Sequence, residues 1–163
     1  MIGRLRRASV ADAPVCWHIR NSAIREQCAA CYPLAAVEAW TPQVMPESYP
    51  QAIIEHCFYV IEDVQGELLA TGYLDRQTQR LEAIFTRPSA MGQGCASHIV
   101  EKLKEEALQQ GLSAISLSST LNAQPFYLKQ GFIPLRHDCH FSATAGCYLD
   151  CVEMYCPLTL PGD

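Results

Sequence analysis

A chain of 163 residues that is 49% hydrophobic and 18% charged can bury one substantial core and is too short for two ordinary domains, so a single domain over 1–163 is expected. A net charge of −5 argues against nucleic acid as a partner, which would need Lys and Arg clustered against phosphates. Met1-Ile2-Gly3-Arg4 opens no apolar run of signal-peptide length and no stretch is long enough to span a bilayer, so a cytoplasmic protein with no membrane partner is expected.

Leu5 to Ala8 reads as a first strand, and the basic cluster Arg4-Leu5-Arg6-Arg7 as its solvated charges. Ser9 supplies an N-cap for a helix from about Ala11 to Ala29, and Pro33 separates it from a second helix at Leu34 to Trp40. Pro42, Pro46 and Pro50 mark a loop before a short helix near Gln51 to His56. Phe58 to Glu62 and Leu68 to Leu74 form a hairpin across Val64-Gln65-Gly66-Glu67, and a strand follows at Leu81 to Thr86. A long helix begins near Cys95 and stops at Gly111, and Ala114 to Ser118 returns as a strand parallel to the Leu81 strand, completing a βαβ unit. Asn122 is placed to cap the next helix, which tolerates Pro125 in its first turn and ends at Gly131. Phe132 to Cys139 and Tyr148 to Cys156, joined by Ser142 to Gly146, close the chain as an antiparallel hairpin.

Nine cysteines, an odd number without a signal peptide, are expected to be reduced thiols acting as small hydrophobes. Cys28-Ala29-Ala30-Cys31 has a zinc-like spacing, yet no second pair completes a tetrahedral set, so no metal is assigned.

The densest chemical signal is Met91-Gly92-Gln93-Gly94-Cys95-Ala96-Ser97 between the Leu81 strand and the long helix. Glycines leave backbone N–H groups uncovered in a tight turn, and the helix points its positive end at the same place, so an anionic group is expected there. A P-loop would need Lys and Ser or Thr after Gly94, where Cys95 and Ala96 stand. A dinucleotide fingerprint would need glycine at Ser97.

Met91 to Ala96 instead fits Gln/Arg-x-x-Gly-x-Gly/Ala, and Ala123-Gln124-Pro125-Phe126-Tyr127 with the later Gly131-Phe132 fits a second motif of the same group. On these two segments the chain resembles the GCN5-related N-acetyltransferases, the GNAT superfamily, departing from the pattern at Met91. The resemblance implies an α/β fold with a central, mostly antiparallel twisted sheet, one splayed parallel strand pair and helices on both faces. It also implies acetyl-CoA as cosubstrate, its pantetheine pairing with Ile84, Phe85 and Thr86, and its pyrophosphate held by Met91, Gly92, Gln93, Gly94, Cys95, Ala96 and Ser97, with Asn122 and Tyr127 nearby. Transfer to a primary amine of a small molecule or peptide by direct attack is the implied activity, and a homodimer is compatible with it.

Tyr127 matches the family tyrosine that protonates the departing thiolate; packing beside Phe126 in the core is its structural alternative. The base is argued from proton arithmetic. An alkyl amine of pKa about 10.4 costs about 4.6 kcal/mol to deprotonate at pH 7, whereas an α-amine costs only about 1. Glu82, given the facing parity of Ile84 and Thr86, could take that proton or could be a solvated carboxylate at a strand start. The resemblance further nominates Arg20, Arg25, Cys28, Tyr32 and Trp40 as acceptor-pocket linings, helix surface and core being their plainer role, with Cys28 given no catalytic role. A CoA-binding sensor module on the same fold and a cysteine-organised thiol or metal protein are the competing classes.

Overall fold

The computed structural model describes residues 3–159, so Met1 and Ile2, read above as part of the chain's opening, lie outside the described residues. Among the described residues, seven strands form one sheet in the order β1-β2-β3-β4-β5-β7-β6. They are β1 Arg4–Arg7, β2 Cys57–Glu62, β3 Leu68–Asp75, β4 Arg80–Thr86, β5 Ala114–Ser119, β6 Ile133–Ser142 and β7 Cys147–Pro157. Every neighbouring pair is antiparallel except β4 with β5, which is parallel. The helices are α1 Ala13–Gln27, α2 Leu34–Trp40, α3 Ser48–Glu55, α4 Cys95–Gln109 and α5 Gln124–Lys129. The implied mixed sheet with helices on both faces is thus present.

Packing follows the apolar periodicity. Ile99, Val100, Leu103 and Ala107 form the buried stripe of α4 against Ala70, Leu74 and Leu81 on one sheet face. On the other face, Cys16, Trp17 and Ile19 of α1 and Tyr49 and Ile53 of α3 cover Phe58, Val60 and Leu68. A third cluster joins Ile24, Cys28, Tyr32, Val37 and Trp40 to Ala145 and Leu149, seating the tip of the β6–β7 hairpin against α1 and α2.

Several boundaries differ from the sequence reading for local reasons. Ser9 caps a 3-10 turn, Val10–Asp12, in which its N–H donates to Asp12 Oδ2 at 2.8 Å; the α-helix starts only at Ala13, with Pro14 in its first turn, and ends at Gln27 rather than Ala29. Helix α3 begins three residues early, at Ser48, because Pro50 falls in the first turn, where an N–H has no helical partner. Asn122 does not cap α5; Ala123 does, and the Asn122 amide oxygen instead accepts the Cys28 thiol at 3.4 Å. The closing hairpin is longer than expected, with Ser142 in β6, Cys147 in β7 and Gly146 at φ 68° in the tight turn between them.

One backbone irregularity sets up the site. Tyr73 pairs with Glu82 and Thr71 with Phe85, so a step of two residues on β3 faces a step of three on β4. The extra residue is a β-bulge at Ala83, which takes φ 55°, and Thr71 Oγ1 donates to the Ala83 carbonyl at 2.7 Å. Gly72 sits opposite, where a Cβ would lie 2.5 Å from Ile99 Cγ2. The bulge overturns the expected parity of Glu82: it now shares the α1 face with Phe85, while Ile84 packs on the α4 face.

Candidate active site

Strands β4 and β5 share a single register pair, Arg80 with Ser116. Beyond it they separate, leaving the β5-facing edge of β4 without a strand partner among the described residues and opening a cavity of about 700 Å³. The cavity runs from the start of α4, past Leu81 to Thr86, to side chains of α1, α2 and the β6–β7 hairpin.

At one end stands the glycine turn. Gly92 and Gly94 take φ 79° and 84°, a left-handed backbone that other residues rarely adopt, and Gly94 is the N-cap of α4. The first α4 bond is from His98 N–H to the Gly94 carbonyl at 3.0 Å, so the N–H groups of Cys95, Ala96 and Ser97 precede the helical ladder and have no partner within it. A Cβ on Gly92 would meet nothing within 4 Å, so this glycine is required by conformation and open space lies over it. Met91, Gly92, Gly94, Cys95, Ala96 and Ser97 line the cavity. Gln93, expected in the cradle as well, is exposed at the turn between the two glycines and is not part of the lining. Ser97 Oγ accepts from Gln130 Nε2 at 2.9 Å, tying the first turn of α4 to the end of α5. An uncovered run of N–H groups at a positive helix end, beside open space, fits a pyrophosphate.

Midway along the cavity are the two proton-handling candidates. Tyr127 is 8% exposed, packed edge-on against Phe126 and Phe132, and also lines the cavity. The ring thus packs beside Phe126, as the structural alternative had it, while the residue also faces the cavity. Burial raises its pKa, and the charge of Glu82 adds to the effect, so the phenol keeps its proton at neutral pH. Glu82 lines the same cavity with its side chain 44% accessible. Its pKa is raised by burial against the pull of Arg80, whose Nε lies 3.6 Å from Glu82 Oε1, with Asp75 and Glu153 contributing in the same direction as burial.

Arg80 was not singled out in the sequence. Its guanidinium donates to both oxygens of Glu153, Nη1 to Oε2 at 3.1 Å and Nη2 to Oε1 at 3.3 Å, and to Ser116 Oγ at 3.3 Å and Ser118 Oγ at 2.6 Å. Ser118 is bonded to Glu153 as well. The visible signal was the polar alternation of Ser116-Leu117-Ser118 and a carboxylate, Glu153, in an otherwise apolar run Cys151-Val152-Glu153-Met154, but pairing them needed the β5–β7 register.

The far wall contains Ile24, Cys28, Tyr32, Trp40 and Phe85. Three of the five expected acceptor-pocket residues are in it, and two are not. Arg20 is buried away from the cavity, donating to Asn21 Oδ1 at 2.7 Å and the Trp40 carbonyl at 2.9 Å while lying over the Trp17 ring. Arg25 is engaged with Thr41, through Oγ1 at 2.9 Å and the carbonyl at 2.8 Å. Both arginines hold α1 against the end of α2. The Tyr32 hydroxyl donates to the Asp150 carbonyl at 2.6 Å and accepts from Leu121 N–H at 3.1 Å. Burial pushes the Cys28 thiol up to about 11, which suits an inert thiol. Asn122 lines the cavity as expected, while Cys31 is exposed and outside it.

The fold has close counterparts among solved structures. A GCN5-related N-acetyltransferase from Rhodopseudomonas palustris superposes with a TM-score of 0.87 at 19% identity, covering 97% of each chain. The PaiA N-acetyltransferase from Thermoplasma acidophilum, solved with coenzyme A, gives 0.76 at 13% identity over 96% of this chain and 99% of that one. YncA from Salmonella typhimurium, solved with its cofactor acetyl-CoA, gives 0.70 at 17% identity over 100% and 98%. No curated protein sequence matches the chain. Its residues 27–144 match the acetyltransferase (GNAT) domain, well over half of the sequence, and the chain belongs to that family.

Proposed function

We propose that the protein moves an acetyl group from acetyl-CoA to a primary amine of a small molecule or peptide by direct attack of the amine nitrogen. The observation that carries this reading is the splay of β4 from β5 after Arg80, which aligns the α4 N-terminus, the free edge of β4, Tyr127 and Glu82 along one cavity. Met91, Gly92 and the N–H groups of Gly94 to Ser97 would hold the pyrophosphate, and the unpaired backbone of Ile84 to Thr86 would hold the pantetheine arm. When bound, acetyl-CoA supplies an activated acyl carbon and a thiolate leaving group.

The rest is done by this chain's residues. Glu82, ionised and facing the cavity, accepts the proton from the incoming ammonium, directly or through one water. Its raised pKa brings it closer to the working pH than an ordinary carboxylate. The amine nitrogen bonds to the acyl carbon and the carbon–sulfur bond breaks; the sulfur takes the Tyr127 hydroxyl proton, which burial has kept in place, and the second proton that the nitrogen sheds on becoming an amide passes to the phenolate and restores it. The apolar wall limits water, the competing nucleophile.

The test is acetyl-CoA binding by calorimetry together with thiol release across a panel of amines. Binding and amine-dependent release are expected, with Gly94→Glu abolishing both by placing a side chain and a negative charge at a left-handed position. Binding without release for any amine would turn the reading to a CoA-binding sensor. Unchanged binding in Gly94→Glu would refute the cradle.

A further inference from the structure

The acceptor end of the cavity has a lopsided stock of charge. Among the described residues its lining contains the half-buried carboxylate of Glu82, the exposed Asp150 and one residue with a permanent cation, Arg80. That cation is already committed: its two terminal nitrogens contact both Glu153 oxygens and two serine hydroxyls, and its Nε faces Glu82. His140, the other basic side chain in the lining, lies on the exposed strand β6, where an ion pair with solvent access contributes little. An acceptor bearing a carboxylate would therefore lose its hydration without gaining a partner, and would approach Glu82 with like charge.

The wall opposite is apolar. Ile24, Tyr32, Trp40 and Phe85 line it, with the Tyr32 and Trp40 rings 5.5 Å apart and inclined at 63°. The Tyr32 hydroxyl is occupied by the Asp150 carbonyl and Leu121 N–H, so the residue offers the cavity its ring more than its polar end. A flat or branched hydrocarbon would bury surface there, and an ammonium would gain from nearby ring faces and the Glu82 charge.

Resting on the acetyl-transfer reading above, we infer that the acceptor is a primary amine carried on an apolar, carboxylate-free body, of the arylalkylamine or alkylamine type, and that free amino acids are discriminated against. The ammonium lies toward Glu82, and the hydrocarbon lies against Trp40, Tyr32 and Ile24.

Matched pairs that differ only in the α-carboxylate test this directly: tryptamine against tryptophan, and phenethylamine against phenylalanine. In thiol-release assays with saturating acetyl-CoA, the amine of each pair should exceed its amino acid in kcat/KM by roughly ten- to a hundredfold, the cost of an unpaired charge expressed as a rate ratio. Calorimetric titration of the same compounds into protein saturated with CoA gives the answer independently of turnover, and the amines should bind more tightly by a similar factor. Gln27→Arg, which places a free cation in the lining at the end of α1, should raise the activity on tryptophan and narrow the ratio. A general loss of function would lower both members of a pair instead. Equal or better use of the amino acids, or preference for lysine or spermidine over every apolar amine, would overturn the inference while leaving acetyl transfer intact. Failure to bind acetyl-CoA at all would remove the activity on which it rests.

Discussion

A phenol enclosed by Phe126, Phe132 and the wall of a cleft has lost the water that would stabilise its anion, which is why Tyr127 holds its proton at neutral pH and can offer it to charge developing beside it. A thiolate is a weaker base than a phenolate, so the transfer is coupled to the return of the proton that the amide nitrogen sheds, and because solvent can also protonate the sulfur the hydroxyl accelerates the reaction without being indispensable. Tyr127→Phe should lower kcat by roughly ten- to a thousandfold with little change in acetyl-CoA affinity, since only the oxygen is removed. Steady-state kinetics beside a calorimetric titration checks both halves; unaltered turnover in a folded variant would return the residue to a packing role. Glu82 makes a complementary prediction. Burial raises its pKa above the ordinary carboxylate value, so kcat/KM should fall on the acid side as the group protonates, at a pH higher than an exposed glutamate would give. Glu82→Gln should remove that limb. For an acceptor of high pKa, the variant's defect should be large at pH 7 and smaller at pH 9, where more of the amine is already neutral. Parallel pH–rate profiles for parent and variant across this range would mean that another group or water takes the proton.

At the scale of elements, the bulge in β4 decides what faces the cleft. Ala83 adopts φ 55° because Thr71 bonds its carbonyl and because Gly72, lacking a side chain, lets Ile99 and Ile84 close over the gap. Gly72→Ala should destabilise the protein by roughly 1–3 kcal/mol through overpacking against Ile99, read from urea midpoints at constant m. Adding Ile99→Ala, which removes the clashing carbon, should make the pair less damaging than the two single changes summed. The same bulge marks the limit of what the sequence disclosed. The cradle was legible because glycine and proline punctuate locally: Pro88, Gly92 and Gly94 announce a strand end, a turn and a helix start from side-chain chemistry alone. The facing of Glu82 was not, since strict alternation assumes an unbroken ladder and the extra residue is fixed by the register with β3. Arg20 and Arg25 misled for a related reason. Their partners, the Trp40 carbonyl and Thr41, lie on the far side of a loop whose course only tertiary packing sets. Asn122 had the right chemistry for a cap, but Cys28, distant in sequence, competes for its oxygen.

The molecule as a whole is two sheet halves, β1 to β4 and β5 to β7, held together in the middle by one register pair, by α4 beneath and by the Arg80 network above. A wider β4–β5 ladder would close the cleft, whereas no tie at all would leave the halves free to separate. Arg80 sits at the fork and reaches three strands, β4 through its own backbone, β5 through Ser116 and Ser118, and β7 through Glu153. Burial draws its pKa down, and the bonds and charges of Glu153 and Glu82 together more than restore it. Arg80→Met should thus have two separable effects. Stability should fall by about 1–3 kcal/mol, because Glu153, with only 13% of its side chain accessible, is left without its partner, and Glu153→Met added to it should recover part of the loss. The second effect is on the chemistry. Arg80 lowers the pKa of Glu82, so removing it must raise that pKa further, and the acid limb of kcat/KM should move to higher pH in both the single and the double variant. A shift confined to the single variant would trace the change to the charge of the orphaned Glu153, which also raises the Glu82 pKa. A limb that stays in place in both, despite the lost stability, would separate the clamp from the base and leave Arg80 as a structural tie alone.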